Sequence, residues 1–276
     1  MNPWTDGYVT ANDIRLHYHR TGGEKPAIVM AHGITDNGLC WSRLARQLEH
    51  SFDVIMVDAR GHGLSDKPES NYTAHDHAKD LAELIQALGL EQPIVIGHSM
   101  GGASAAILAE SYPEHVDRLI LEDPAWFPPD VGAEVDQAAD IQRRQEWQER
   151  IVWRKSLSIE EVTAATRREN PLWSDEEFPA HSEAKYQVSP QVVQFIQASV
   201  KPWWEVVPGL RCSTLVLTGD VERGAIITEG MAEKIHALNS RVEVVRLARA
   251  GHNVRREQFD AFVHHVRRFL SERASS

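Results

Sequence analysis

Ser99 stands in the run Gly97-His98-Ser99-Met100-Gly101-Gly102, between the apolar residues 93–96 and the alanine-rich, helical residues 103–108. A serine carried on a sharp turn from strand to helix occupies a strained backbone conformation, so its flanks must be small enough for the chain to fold back on itself. Gly97 and Gly101 meet that demand, and Gly102, Ala103 and Ala105 let the following helix lie close on a sheet. At the start of that helix, free N–H groups and the helix dipole favour developing negative charge. A serine hydroxyl is a poor nucleophile at neutral pH, so it needs a base within hydrogen-bond reach and an anion that fixes the tautomer of that base. Of fourteen histidines, His252 is the expected base, because it follows the last apolar run in a short loop with Gly251, just before the final helical segment. His17 and His19 fall on one face of an alternating segment. His75, His77, His264 and His265 fall on or near helical segments and are expected in solvent. No histidine has a metal-ligand spacing such as H-E-x-x-H, so no metal and no other cofactor is expected.

These side chains are far apart in the chain, and the elements between them must bring them to one edge of a fold. Short apolar runs recur at residues 27–31, 54–57, 93–96, 119–121, 214–217 and 242–247 and read as strands buried on both faces. Helical periodicity separates them at 39–48, 74–88 and 103–111, and this alternation predicts a parallel sheet covered by helices. Residues 14–19 alternate and predict an antiparallel edge strand. From Pro124 to about Val207 the pattern changes to helix after helix, clearest at 135–151, 159–169 and 191–200 and punctuated by Pro128, Pro129, Pro171 and Pro202. A helical stretch between two core strands predicts a cap, giving a core of residues 1–123 and 207–276 and a cap of residues 124–206.

Composition sets wider bounds. A chain of 276 residues that is 42% hydrophobic and 25% charged is long enough to bury a substantial core. A formal charge of −11 without a lysine and arginine block gives no footprint for nucleic acid or an anionic membrane. Two cysteines, Cys40 and Cys212, are expected as free buried thiols, and a cytoplasmic monomer or homodimer is expected.

Taken together, the motifs resemble the α/β-hydrolase superfamily. Beside the serine turn, the resemblance rests on His32-Gly33-Ile34 after the third strand, the run Asp58-Ala59-Arg60-Gly61-His62-Gly63 after the fourth, and Ala250-Gly251-His252 after the last. It implies a mostly parallel eight-stranded sheet flanked by helices, with the helical cap over its catalytic end. It also implies an oxyanion hole made by the backbone N–H groups of Ile34 and Met100, with His32 organising the loop. The acid is the contested member. Many relatives carry it after the seventh strand, which points to Asp220 or Glu222. The run Gly224-Ala225-Ile226-Ile227-Thr228, however, resembles haloalkane dehalogenases whose acid follows the sixth strand, and Asp123, 24 residues after Ser99, ends that strand here. Asp123 is therefore preferred, with an anchor between cap and core as its alternative role.

Dehalogenase and epoxide hydrolase activity are disfavoured, because those enzymes use an aspartate nucleophile where this chain has Ser99. Six of the eight tryptophans, Trp126, Trp147, Trp153, Trp173, Trp203 and Trp204, lie in the cap and its flanks and suit a small hydrophobic ester or lactone. One or two are expected at the pocket, Trp126 first, and His98 beside the nucleophile is a second candidate for substrate contact. The resemblance thus implies a serine hydrolase of esters or lactones working through an acyl-enzyme. Alternatives of the same fold are a hydrolase of carbon–carbon bonds in ring-cleavage products and a slow-turnover ligand receptor.

Overall fold

The computed structural model describes residues 4–127, 137–197 and 201–271. One sheet holds eight strands: β1 (Thr5–Ala11), β2 (Ile14–Arg20), β3 (Ala27–Ala31), β4 (Asp53–Val57), β5 (Ile94–His98), β6 (Arg118–Glu122), β7 (Ser213–Thr218) and β8 (Val242–Arg246). Their spatial order is β1-β2-β4-β3-β5-β6-β7-β8. β2 is antiparallel to both of its neighbours, and every pairing from β4 through β8 is parallel.

The unbroken apolar runs follow from burial on two sides. Val29, Ile55, Val95 and Leu121 face the layer built on helices Ala74–Ala87 and Met100–Ser111, whereas Ile28, Met56, Ile96 and Ile120 pack with helices Ser42–Leu48 and Phe259–Ser271. Successive side chains on a strand point to opposite faces, so two covered faces need apolar residues at every position. The order of strands reverses between β3 and β5, which opens a crevice at their carboxyl ends.

Between β6 and β7 lie helices Gln137–Arg154, Ile159–Glu169, Phe178–Gln187, Gln194–Gln197 and Trp203–Val206. Ser158 starts the second of these with a capping box, its hydroxyl accepting from the Glu161 N–H while the Glu161 carboxylate accepts from its own. Of the helical segments expected here, residues 135–136 and 198–200 lie outside the described residues, as do Pro128 and Pro129. No helix among the described residues is long and apolar enough to cross a membrane.

Four local expectations change. The alternating segment is not the sheet edge: β1, which opens on the polar Thr5 and Asp6, takes that place. His17 is consequently buried, with its Nδ1 2.8 Å from Asp58 Oδ2. His77 is buried rather than solvated, its ring edge-on to Phe195 at 5.5 Å between centroids, because its helix face packs under the sheet layer. Cys40 and Cys212 are both free, but only Cys40 is fully buried.

A buried ion pair ties the last part of the chain to the sheet. Glu122, at the end of β6, accepts from the Arg255 N–H at 2.8 Å and from Arg255 Nη1 at 2.7 Å, and the guanidinium lies 4.0 Å from the centre of the Trp41 ring. Removing one partner of such a pair leaves a buried charge uncompensated, so Glu122→Gln is expected to lower unfolding free energy by about 3–5 kcal/mol in urea titrations. The exposed control Asp260→Asn should stay within about 0.5 kcal/mol, and a similarly small loss for Glu122→Gln would refute this role.

Candidate active site

Ser99 sits between β5 and helix Met100–Ser111 with φ +51° and ψ −113°, outside the regions most side chains adopt. The turn is possible because both flanking glycines are in backbone contact. A Cβ on Gly97 would lie 2.4 Å from the Gly101 carbonyl oxygen, and one on Gly101 would lie 2.2 Å from that of Ala31. Ser99 is buried, and its Oγ is 2.9 Å from His252 Nε2. On the other side of the ring, His252 Nδ1 is 2.6 Å from Asp123 Oδ2. Ser99, His252 and Asp123 thus form one hydrogen-bonded chain. Nδ1–H donates to the carboxylate, which leaves Nε2 as the acceptor facing the serine hydroxyl.

Asp123 ends β6 with φ +36° and is fully buried. Its Oδ1 accepts from Thr218 Oγ1 at 2.7 Å and from the Ile227 N–H at 3.3 Å, and its Oδ2 accepts from the Ile226 N–H at 2.9 Å. The run after β7 therefore supplies backbone donors to this carboxylate in place of an acid of its own. The two competitors lie elsewhere. Asp220 Oδ2 accepts from the Arg249 N–H at 2.7 Å, and Glu222 is exposed.

The loop after β3 forms the opposite wall. Residues 33–36 make a turn closed by the Asp36 N–H on the Gly33 carbonyl at 3.1 Å, with φ +66° at Thr35. His32 braces it, donating from Nδ1 to the Gly33 carbonyl at 2.8 Å and accepting from the Ala59 N–H at Nε2 at 3.0 Å. The Ile34 N–H has no backbone acceptor among the described residues, and the Met100 N–H, first of its helix, has none within that helix. Both residues line the cavity beside Ser99. His98 lines its floor as well, and its Nε2 donates to the His252 carbonyl at 3.1 Å. Burial holds the His98 imidazole well below its usual range, so the ring is neutral.

The cavity, of about 760 Å³, is lined by five of the six tryptophans, Trp126, Trp147, Trp173, Trp203 and Trp204, which exceeds the one or two expected. Trp126 stacks on Trp203 at 6.3 Å and Trp203 meets Trp204 edge-on at 5.6 Å, whereas Trp153 points to solvent. The wall is also charged in a way the sequence did not announce: Asp36, Arg154, Glu169, Lys185, Lys201 and Arg256 line it. Asp36 is fully enclosed, with Arg256 Nη2 at 3.0 Å and Lys185 Nζ at 3.6 Å. Burial alone would raise the Asp36 carboxyl, but Arg256 and Lys185 hold it well below the usual carboxylate range. Partners separated by 220 residues, as Asp36 and Arg256 are, leave no spacing for a sequence reading to find.

His17, His19 and Asp58 have ligand atoms near enough to one another for a cation, but Asp58 already accepts from the Gly38 N–H at 2.6 Å, the Leu64 N–H at 2.9 Å and His17. A cation would have to displace the bonds that hold both loops.

Comparison with known proteins agrees with this architecture. The model of the α/β hydrolase fold family matches residues 26–255. N-formylmaleamate deformylase of Pseudomonas putida is 28% identical over 267 residues, covering 93% of this chain and 92% of that protein. 3-Oxoadipate enol-lactonase 2 of Acinetobacter baylyi is 25% identical over 269 residues, covering 94% of each. The crystal structure of E-2-(acetamidomethylene)succinate hydrolase has a TM-score of 0.82 at 24% identity, covering 98% of this chain and 100% of that one, and supports the fold alone. The chain therefore belongs to the α/β-hydrolase fold family and is a hydrolase of that fold.

Proposed function

We propose that this chain hydrolyses a carboxylic ester or lactone through an acyl-enzyme on Ser99. The observation that carries the reading is the chain from Ser99 Oγ through His252 to the Asp123 carboxylate, with contacts of 2.9 and 2.6 Å. As Ser99 Oγ attacks the carbonyl carbon, its proton passes to His252 Nε2, and the buried Asp123 carboxylate stabilises the imidazolium. Charge gathers on the former carbonyl oxygen, where the Ile34 and Met100 N–H groups stabilise it as the oxyanion hole. His252 then protonates the leaving alcohol, and water activated by the same ring releases the acid. The helices between β6 and β7 act as the cap, and Trp126 and its neighbours provide rigid apolar surface for the acyl group. The part of the wall around Arg154, Glu169 and Lys201 suits a substrate with a polar end. His98 acts here by holding the His252 backbone. The two full-length relatives are named for removing a formyl group and for opening an enol lactone, and both names fit attack on an acyl carbon.

Ser99→Ala should lower kcat on the order of 10⁶-fold and abolish fluorophosphonate labelling with an unchanged circular dichroism spectrum. Persistent labelling would show that another residue is the nucleophile. Asp123→Asn should lower kcat on the order of 10⁴-fold, as loss of this charge does in the chymotrypsin-type triad, whereas Asp220→Asn and Glu222→Gln should retain most activity. Across p-nitrophenyl esters, each buried methylene should raise kcat/KM by about fourfold, the equivalent of about 0.8 kcal/mol, until the pocket is full. A ring-cleavage dienoate cleaved faster than every ester and lactone in the same screen would replace this reading with carbon–carbon hydrolysis.

A further inference from the structure

The 33–36 turn carries threonine at its third position with φ +66°. A turn with positive φ only there is of the type that favours glycine, and for a β-branched residue this conformation is costly, about 1–3 kcal/mol. Such strain persists only where neighbours over-determine it. Here they do: the Thr35 N–H donates to His62 Nε2 at 3.3 Å, while Lys185 Nζ donates to the Thr35 carbonyl at 2.7 Å and contacts its Oγ1 at 2.9 Å. Asp36, the next residue, is held by Arg256. His62 and Arg256 belong to the core, but Lys185 is fully buried on helix Phe178–Gln187 of the insertion, 150 residues from Thr35.

We propose that Lys185 is a positioning residue for the oxyanion hole: its ammonium holds the Thr35 carbonyl, the Asp36 N–H of that same peptide donates to the Gly33 carbonyl, and the Gly33–Ile34 peptide held in this way keeps the Ile34 N–H aimed at the reacting oxygen. The inference rests on the acyl-transfer reading above. It makes turnover depend on where the insertion sits, because withdrawing that helix removes the clamp and lets the turn relax. Without the lysine, Thr35 lowers its energy by leaving the positive-φ region, the 35–36 peptide turns, and its N–H no longer fixes the Gly33 carbonyl and the Ile34 N–H that shares its peptide.

A second property follows from the surroundings. Asp36 and Cys40 face Lys185 from the loop after β3, Arg256 from helix Val254–Glu257, Arg154 from helix Gln137–Arg154 and His181 from its own helix. Burial, aided by Arg256 and Arg154 and opposed by Asp36, pushes the Lys185 ammonium down to about 8. The clamp is charged below that pH and weakens above it.

The test compares wild type, Lys185→Met, Lys185→Arg and the double variant Lys185→Met/Thr35→Gly. Its readouts are kcat, KM, and inhibition by a boronic acid that forms a tetrahedral adduct on Ser99, set against inhibition by the product acid. Lys185→Met should lose about 10²-fold in kcat and a similar factor in boronate affinity, with KM and product affinity within about twofold. Lys185→Arg should regain part of the loss. Glycine holds positive φ without a clamp, so the double variant should recover most of it. Wild-type kcat should fall as pH rises through about 8, and Lys185→Met should lack that limb. A folded Lys185→Met with kcat and boronate affinity within twofold of wild type overturns the proposal, as does a double variant no better than the single one. Should Lys185→Met fail to fold, Lys185→Gln, too short to reach the Thr35 carbonyl, takes its place, and kcat and boronate affinity within twofold of wild type there overturn it. Activity that survives Ser99→Ala would instead overturn the acyl-transfer reading, while Ser99-dependent activity indifferent to Lys185 would remove only the clamp.

Discussion

The arrangement depends on keeping one carboxylate charged where water does not reach. Among the described residues no lysine or arginine pairs with Asp123, so its charge must be satisfied by hydrogen bonds. The donors come from Thr218 on β7, from the Ile226 and Ile227 N–H groups beyond it, and from His252. Each has to arrive in place for the charge to be tolerated. The carboxylate is thus a nucleus around which the ends of β6 and β7 and the loop after β8 are ordered, and the orientation of His252 is one result.

Three strained residues lie together at the same edge of the sheet. Thr35, Ser99 and Asp123 are non-glycine residues with positive φ, at +66°, +51° and +36°. Aspartate tolerates this region better than threonine does, since its short side chain can bond locally. What holds each in place is tight packing of glycine backbone around Ser99, hydrogen bonds to both carboxylate oxygens of Asp123, and donors or acceptors on both peptides of Thr35.

Much of this was legible in the sequence, to differing depths. Ser99 and His252 could be singled out because their signals are local: a small-residue turn between strand and helix, and a short glycine loop after the last strand. Asp123 could be preferred only through a resemblance, since a carboxylate at the end of a strand has the same local appearance in a structural role. β1 escaped notice because an edge strand needs no continuous apolar run. The ion network around Asp36 was invisible for another reason. Burying a charge requires partners in space, and the lysine and arginine that pair with Asp36, Lys185 and Arg256, lie far along the chain on helices whose sequence shows only an ordinary charged face. The count of tryptophans could be read, but the number facing the cavity could not, because aromatic residues that fill a helical layer have the same spacing as those that line a pocket.

The separation of Ser99 and His252, 153 residues, also bears on the life of the nascent chain. Synthesis runs from the N-terminus, and long-range contacts cannot form before their second partner exists. The serine turn, the loop after β3 and Asp123 emerge early, while the imidazole that bonds to both side chains emerges only after β8. A ribosome-bound chain that has not passed β8 carries the hydroxyl without the His252 imidazole beside it, so on the proposed acyl-transfer reading the order of translation keeps the polypeptide inert toward acyl compounds until all of the sheet has been made.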